Sequence, residues 1–187
     1  MSAVRQARAT LDDLYRTPEK AELIGGRIVR FMATGRRPNR VAFRITRSLD
    51  DHASQVGRGE AYTDNIGFAL LPPLPSGRES FSPDASYYDG PLPANPMRFL
   101  EGPPTFAAKV RSENDYGPVA ETEMAEKRAD YFTAGTQVVW DVDPLAECIH
   151  IYRASDPSQP ATYRRGDVAE AEPAVPGWRV AVDWIFS

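Results

Sequence analysis

The sequence predicts a single domain that combines helices with strands, and three neighbouring segments predict it. Residues 105–112 alternate apolar and charged side chains, which is typical of a strand with one buried face. Residues 122–134 are typical of a helix capped by Thr122 and ended by Gly135, and residues 137–142 form the continuous apolar run of a buried strand. A strand, a helix and a second strand in succession indicate a core of mixed α and β structure.

Two polar side chains near these segments indicate chemistry. Lys127 lies three residues after Met124, on the apolar stripe of the predicted helix. A lysine on a packing face usually extends its ammonium group to the surface, and a catalytic ammonium is the alternative. Asp84 favours the alternative, because it follows a proline and begins an alternating strand-like run. An acid at a strand start and a lysine on a facing helix form half of a metal-dependent phosphodiesterase site.

Length and composition are those of one globular domain. A chain of 187 residues with 42% apolar residues can bury one core, and no change in composition divides it. The net charge of −4 gives no overall attraction for nucleic acid, so such a partner would have to meet a local basic patch. The single cysteine, Cys148, indicates a reducing compartment. With neither a signal-peptide pattern nor an apolar run long enough to span a bilayer, we expect a cytoplasmic protein with no membrane partner.

The N-terminal part of the sequence predicts a short helix followed by a hairpin. Residues 11–15 have the apolar spacing of an amphipathic helix, and Thr10 is placed to cap it. Residues 21–32 contain two alternating runs separated by two glycines, which is typical of a tight β-hairpin. Glu22 opens the first of these strands and could face the site.

The densest basic cluster consists of Arg36, Arg37 and Arg40, next to a helix predicted from about residue 39 to residue 55. One interpretation is a loop that contacts phosphate at a helix N-terminus. The other is a solvated arginine-rich turn. His52, near the end of this helix, is interpreted as a surface residue rather than a ligand.

The remaining segments predict strands and loops. Residues 60–71 are typical of strands around a turn, and the proline-rich residues 89–104 predict an exposed irregular excursion. Residues 148–153 predict a strand that forms a hairpin with the buried strand before it. The alternation of residues 180–185 predicts a final strand.

An ordered set of motifs carries a family resemblance. The chain contains an ELI-GG-RIV hairpin, SPDASYY, a strand ending in VRS, a helix with KRADYFTAG, and VVWDVDP. This set resembles the Uma family of restriction-endonuclease-like domains in the PD-(D/E)xK nuclease superfamily. The resemblance implies one α/β (α+β) domain over residues 1–187, with its core at about residues 11–184. It also implies a mixed central β-sheet flanked by helices, together with an N-terminal helix and a β-hairpin.

The resemblance further implies a divalent metal, Mg²⁺ or Mn²⁺, held by the aspartate of the PD pair and by an acid on the next core strand. Asp84 matches that aspartate, and Lys127 matches a lysine that the family carries on the following helix. The position of the acid, however, holds Lys109. Because Mg²⁺ prefers oxygen ligands, and an ammonium group offers no lone pair and repels the ion, Lys109 should lower metal affinity strongly.

The mismatch at Lys109 leaves two arrangements open. A carboxylate from elsewhere in the chain could replace the missing acid. Four acids are candidates for this role: Glu22, Glu113, Glu123 and Glu126. Alternatively, an ion pair between Lys109 and Asp84 could take the place of the metal, so that no cofactor is needed and a fixed positive charge remains to hold a phosphate.

The expected function is therefore that of a metal-dependent endonuclease, in which Lys109 is a disabling replacement. Asp84 would bind the metal, and Lys127 would stabilise charge on the phosphate of a nucleic acid, with DNA expected rather than RNA. The alternative is a catalytically inactive nuclease fold that binds nucleic acid or protein, and a third possibility is a homo-oligomeric structural protein. Four arginines are candidates for nucleic-acid contact: Arg36, Arg37, Arg40 and Arg111.

Overall fold

The computed structural model describes residues 8–187, and within that range the chain forms four helices and thirteen strands. In chain order these are α1 (Leu11–Tyr15), β1 (Ala21–Ile24), β2 (Arg27–Arg30), α2 (Arg36–Val56), β3 (Glu60–Thr63), β4 (Phe68–Ala69), β5 (Ser80–Phe81), β6 (Ala85–Tyr88), β7 (Leu100–Glu101), β8 (Phe106–Val110), α3 (Pro118–Ala134), β9 (Val138–Asp143), β10 (Cys148–Arg153), β11 (Asp156–Arg164), β12 (Val168–Glu170), β13 (Arg179–Ala181) and α4 (Val182–Phe186). None of the helices in residues 8–187 is long and apolar enough to cross a membrane.

A six-stranded mixed sheet forms the centre of the fold, with the strand order β11-β10-β9-β8-β6-β3. Its neighbouring strands are antiparallel, except that β8 and β9 run parallel. The parallel pair needs a crossover connection, and α3 provides it. The hairpin of β1 and β2 is a separate two-stranded sheet. The predicted mixed sheet with flanking helices and an N-terminal hairpin is confirmed.

Helices cover the two faces of this sheet, and β8 shows which residues face which helix. Ala108 packs in the cluster that contains the apolar residues of α2, whereas Ala107 packs in the cluster that contains Tyr131 of α3. Successive side chains of a strand point to opposite faces, so Lys109 lies on the same face as Ala107. The polar end of β8 is therefore directed to the α3 side of the sheet.

The helix boundaries depend on local capping, and one of them differs from the prediction. The prediction of Thr10 as a cap is confirmed, because it forms a capping box with Asp13 at the start of α1. Gly135 ends α3 in the left-handed region at φ 112°, as predicted. The prediction of Thr122 as the N-cap of α3 is wrong. The helix begins at Pro118, where a missing N–H costs nothing, and the Thr122 hydroxyl donates back to the Pro118 carbonyl at 3.0 Å.

The prediction of a final strand over residues 180–185 is also wrong. The strand β13 ends at Ala181, and α4 follows it. Val182, Ile185 and Phe186 are buried in the core. Their i, i+3, i+4 spacing lets one short helical face carry all three, and Asp183 in the first turn accepts the Gly166 N–H at 2.8 Å. The short segment fits both the alternation of a strand and the spacing of a helix, and tertiary packing decided in favour of the helix.

Candidate active site

A cluster of charged side chains lies on the α3 side of the sheet. It contains residues from β1, from the turn before β6, from β8 and from α3. Asp84, Lys109 and Lys127, which the sequence singled out, all belong to it. Glu22 belongs to it as well, so one of the four candidate acids reaches the site.

Asp84 is held by groups on every side. Its backbone N–H donates to the Ala108 carbonyl at 3.1 Å, which fixes the turn against β8. Its Oδ2 accepts the Val110 N–H at 2.8 Å, and its Oδ1 accepts the ammonium group of Lys20 at 3.1 Å. Burial on its own would raise the pKa of Asp84, but the ammonium groups of Lys109 and Lys20 outweigh it and hold that pKa below its usual value. Asp84 is therefore an ionised carboxylate that already has its partners.

Lys109 lies between two carboxylates. Its Nζ is 3.6 Å from Asp84 Oδ2 and 2.8 Å from Asp115 Oδ2. Asp115 is oriented by Ser112, whose N–H and hydroxyl each donate to it at 2.7 Å. Burial would lower the pKa of Lys109, but Asp84 and Asp115 together raise it above its usual value. Lys109 is therefore a fixed positive charge where the resemblance implies a metal ligand.

Glu22 and Lys127 form the buried part of the cluster. Glu22 is only 1% exposed. Its Oε1 accepts Lys127 Nζ at 2.7 Å and the Ser82 N–H at 2.8 Å, and its Oε2 accepts Arg78 Nη1 at 2.6 Å. Burial lowers the pKa of Lys127, and Glu22 offsets only part of that effect. Lys127 thus directs its ammonium group into the cluster instead of extending it away from the fold.

Sequence reasoning missed several members of this cluster. Lys20 bridges Asp64 and Asp84, and although burial would lower its pKa, these two carboxylates raise it. Arg78 joins Glu22 to Asp130, whose Oδ2 accepts Arg78 Nε at 2.7 Å. Lys20 precedes β1, Asp64 and Arg78 lie in loops, and Asp130 lies near the end of α3. No periodic pattern in the sequence indicates that these side chains belong to a site. The Ser112–Asp115 turn is the one local signal that could have drawn attention to a missed residue.

The donor set does not fit the Mg²⁺ or Mn²⁺ ion that the resemblance implies. The carboxylates of Glu22 and Asp84 accept hydrogen bonds from ammonium, guanidinium and backbone N–H groups. Within residues 8–187 no group of three or more histidine, cysteine, aspartate or glutamate side chains is arranged to hold a metal ion. A divalent ion needs several oxygen ligands with available lone pairs, and next to Asp84 it would meet an ammonium group instead.

The other candidate acids lie outside the cluster. Glu113, Glu123 and Glu126 are exposed, and none of them forms a hydrogen bond or ion pair with Asp84 or Lys109 in the described part of the chain. Their carboxylates therefore do not replace the missing acid in this arrangement.

The assignment of Arg111 to nucleic-acid contact needs correction. Its guanidinium is buried and holds Asp141 with two hydrogen bonds, of 2.7 Å from Nε and 2.6 Å from Nη2. It also pairs with Glu121 on α3. The alternation that placed Arg111 on the same side as Lys109 is correct, but Arg111 ties α3 to β9 and has no free face for a phosphate.

The other three arginines lie at a separate place, the N-terminal end of α2. Arg36, Arg37 and Arg40, together with Arg44, line a cavity of about 410 Å³ that we call the arginine recess. Arg37 pairs with Glu147, and Arg44 donates to the Ile185 carbonyl at 3.2 Å. Neither Arg36 nor Arg40 forms an ion pair with any residue in the range 8–187. The first turn of α2 contains no acid, so the recess has a surplus of positive charge.

The comparisons with known proteins agree with this architecture. A family match covers residues 8–183 with Uma2, described as "Putative restriction endonuclease". A solved structure from Anabaena variabilis ATCC 29413, titled a "putative nuclease belonging to DUF820", matches with a TM-score of 0.74 and 16% identity over 95% of this chain and 97% of that chain. At that identity the likeness shows the fold alone. No curated protein matches the chain. Since the family match spans nearly all of the sequence, the chain belongs to the Uma2 family.

Proposed function

We propose that this protein binds nucleic acid through a nuclease fold but does not hydrolyse phosphodiesters with a divalent metal. The observation that carries the proposal is the position of the Lys109 ammonium group, 3.6 Å from Asp84 Oδ2 and 2.8 Å from Asp115 Oδ2. It occupies the space beside Asp84 where a metal-dependent enzyme would need a further oxygen ligand.

Charge in the cluster supports this proposal. Four cationic side chains, Lys20, Arg78, Lys109 and Lys127, pair with five carboxylates. A divalent ion would have to displace at least the Lys109 ammonium group from Asp84. Because the Lys109 side chain is 33% exposed, we expect the loss of its ion pairs to cost about 2 kcal/mol rather than the full cost of breaking a buried pair. The favourable free energy of the metal–ligand contacts would have to exceed this cost for the ion to bind.

Hydrolysis would also lack a means of activating water. A metal ion lowers the pKa of its bound water and neutralises charge on the phosphate. The ammonium groups of Lys109 and Lys127 can stabilise a negative oxygen, but they cannot accept a proton from water while they are charged. The carboxylates that could act as a base are held by cations and N–H donors. The cluster can therefore hold a phosphate more readily than it can cleave one.

Two surfaces would contact the nucleic acid in this proposal. The side chains of Lys20, Lys109 and Lys127 are 19%, 33% and 23% exposed, so part of each side chain is open to solvent. The five carboxylates of the cluster outnumber its four cations, however. The unbalanced positive charge lies at the arginine recess, and we expect most of the electrostatic affinity to come from there.

The test combines binding with cleavage. Labelled DNA and RNA oligonucleotides should bind the purified protein in EDTA, without any need for Mg²⁺, and with an affinity that falls steeply with salt. Neither Mg²⁺ nor Mn²⁺ should give cleavage products. Metal-dependent cleavage that disappears in Asp84→Asn would show that the proposal is wrong and that the protein is a working nuclease.

The competing function is that of an active metal-dependent endonuclease. It is favoured by the fact that Glu22, Asp84 and Lys127 all converge in one cluster. This function requires the protein to bind a divalent metal ion. Isothermal titration of Mg²⁺ and Mn²⁺ separates the two functions, because micromolar binding of either ion to the unmodified protein would support the endonuclease and contradict our proposal.

A further inference from the structure

We propose that Phe31 is a stacking platform for an unpaired nucleobase beside the charged cluster. The inference rests on the proposed function and adds the form of nucleic acid that this site takes. Phe31 directly follows β2 of the hairpin, whose other strand, β1, carries Glu22.

The hairpin ladder places Phe31 directly beside the cluster. The Phe31 N–H donates to the Lys20 carbonyl at 2.9 Å, so the two residues lie opposite each other beyond the last pair of β1 and β2. Glu22 lies opposite Val29 in the same ladder. Because alternate residues of a strand share a face, Val29 and Phe31 lie on the same face of the hairpin as Lys20 and Glu22.

The ring of Phe31 lies against two ammonium groups. Its centroid is 5.3 Å from Lys127 Nζ and 5.9 Å from Lys20 Nζ, both within the range of cation–π attraction. These contacts hold the ring at a defined place above the cluster. A ring fixed in this way loses little conformational freedom when a second flat group packs on it.

Part of the apolar surface next to these charges remains exposed, since Phe31 and Val29 are each 37% exposed. Charged groups beside a partly exposed aromatic ring match a ligand that joins an anion to a flat apolar ring. A nucleotide has this composition, since its phosphate can pair with Lys20 or Lys127 while its base stacks on Phe31. Bases inside a duplex are already stacked, so the expected ligand has a single-stranded or extruded nucleotide.

The experiment compares two probes that carry equal charge. One is a fluorescent oligo(dT), and the other is an oligomer of the same length made of abasic sites, which keeps the phosphates but has no bases. Fluorescence anisotropy at fixed salt should show that the unmodified protein prefers oligo(dT) about tenfold. Phe31→Leu, which keeps an apolar side chain but removes the ring, should reduce this preference to less than about threefold. Its affinity for the abasic oligomer should not change.

A matched variant and a second readout control the experiment. Trp184, on α4, is an aromatic residue of similar exposure at 38%, and Trp184→Leu should keep the full preference for oligo(dT). Phe31→Trp should also keep it, and the fluorescence of the new indole should be quenched by oligo(dT) but not by the abasic oligomer. This second measurement still decides the question if Phe31→Leu does not fold.

Each remaining outcome is decisive. Equal binding of both probes by the unmodified protein would overturn the stacking platform and leave nucleic-acid binding standing. An unchanged preference in Phe31→Leu would do the same, since the bases would then be recognised elsewhere. Failure of both probes to bind at low salt would overturn the proposed function together with this inference.

Discussion

Lys109→Glu tests the central physical claim, because it replaces the fixed ammonium group by the acid that the family resemblance implies. Lys109 is 33% exposed, and its partners Asp84 and Asp115 are 18% and 23% exposed, so these ion pairs are intermediate between surface and buried pairs. We expect their loss to cost about 2 kcal/mol of unfolding free energy in the absence of metal. For a chain of this length, that lowers Tm by about 6 °C.

Binding of a divalent metal ion should then restore the stability that Lys109→Glu loses. The new carboxylate would join Asp84 and leave Asp115 without its ammonium partner, which provides three acidic side chains for one ion. An ion present at about 100 times its Kd stabilises the folded state by about 2.7 kcal/mol, or about 8 °C in Tm. Differential scanning calorimetry in EDTA and in Mg²⁺ or Mn²⁺ measures both changes, and cleavage of labelled DNA measures any recovered activity.

Lys109→Met is the matched control, because it removes the charge without adding a ligand. It should lose stability as Lys109→Glu does, but Mg²⁺ should not raise its Tm. Two results would refute the reasoning. One is an Mg²⁺-dependent rise of Tm in the unmodified protein. The other is a folded Lys109→Glu variant whose Tm and calorimetric heat do not respond to either ion, since Lys109 would then not be what excludes the metal.

Three further predictions follow from the same contacts. Glu22→Gln should lower the unfolding free energy by about 3 kcal/mol in chemical denaturation, because it leaves Lys127 without its carboxylate partner and Arg78 with Asp130 alone; a loss below about 1 kcal/mol would contradict it. Asp84 has a lowered pKa in the folded state, so its stabilising contribution is fully present above its unfolded pKa of about 3.9 and is lost as pH falls through the folded value. The stability difference between the unmodified protein and Asp84→Asn should therefore be constant above about pH 5 and shrink below about pH 4, whereas a difference that grows in acid would be inconsistent. Combined alanine substitution of Arg36 and Arg40 should reduce the salt slope of duplex DNA binding by about 2, while Arg47→Ala, with a side chain 64% exposed, should leave it unchanged.

Local chemistry made part of the site predictable. A proline before Asp84 and an alternating run after it indicated an acid at a strand start, and β6 begins at Ala85. The apolar stripe that contains Lys127 indicated that this lysine faces the core side of α3, and its ammonium group meets Glu22. Alternation along β8 gave the correct face for Lys109. Each of these conclusions needed only a periodicity and a neighbouring turn.

The residues that complete the cluster had no such signal. Lys20 meets partners that lie 44 and 64 residues further along the chain, and Arg78 meets Glu22 across 56 residues. A single lysine or arginine before a strand or in a loop is ordinary in any sequence, so nothing distinguishes the one that folds into a site. The same limit explains Arg111, whose position on β8 was predictable but whose pairing with Asp141 on the next strand was not.

The order of residues by itself determined most of the secondary structure that builds this fold, from the two-glycine hairpin to the crossover helix, and it identified a positive charge at position 109, where the family resemblance implies an acid. Only the tertiary structure decided what that charge does. An ammonium group exposed to water contributes little to stability, whereas one held between two carboxylates can take the place of a metal ion. Which of the two applies depends on distances of a few ångströms and on burial. Those quantities come from the packing of β1, β8 and α3 against one another, which no local pattern contains.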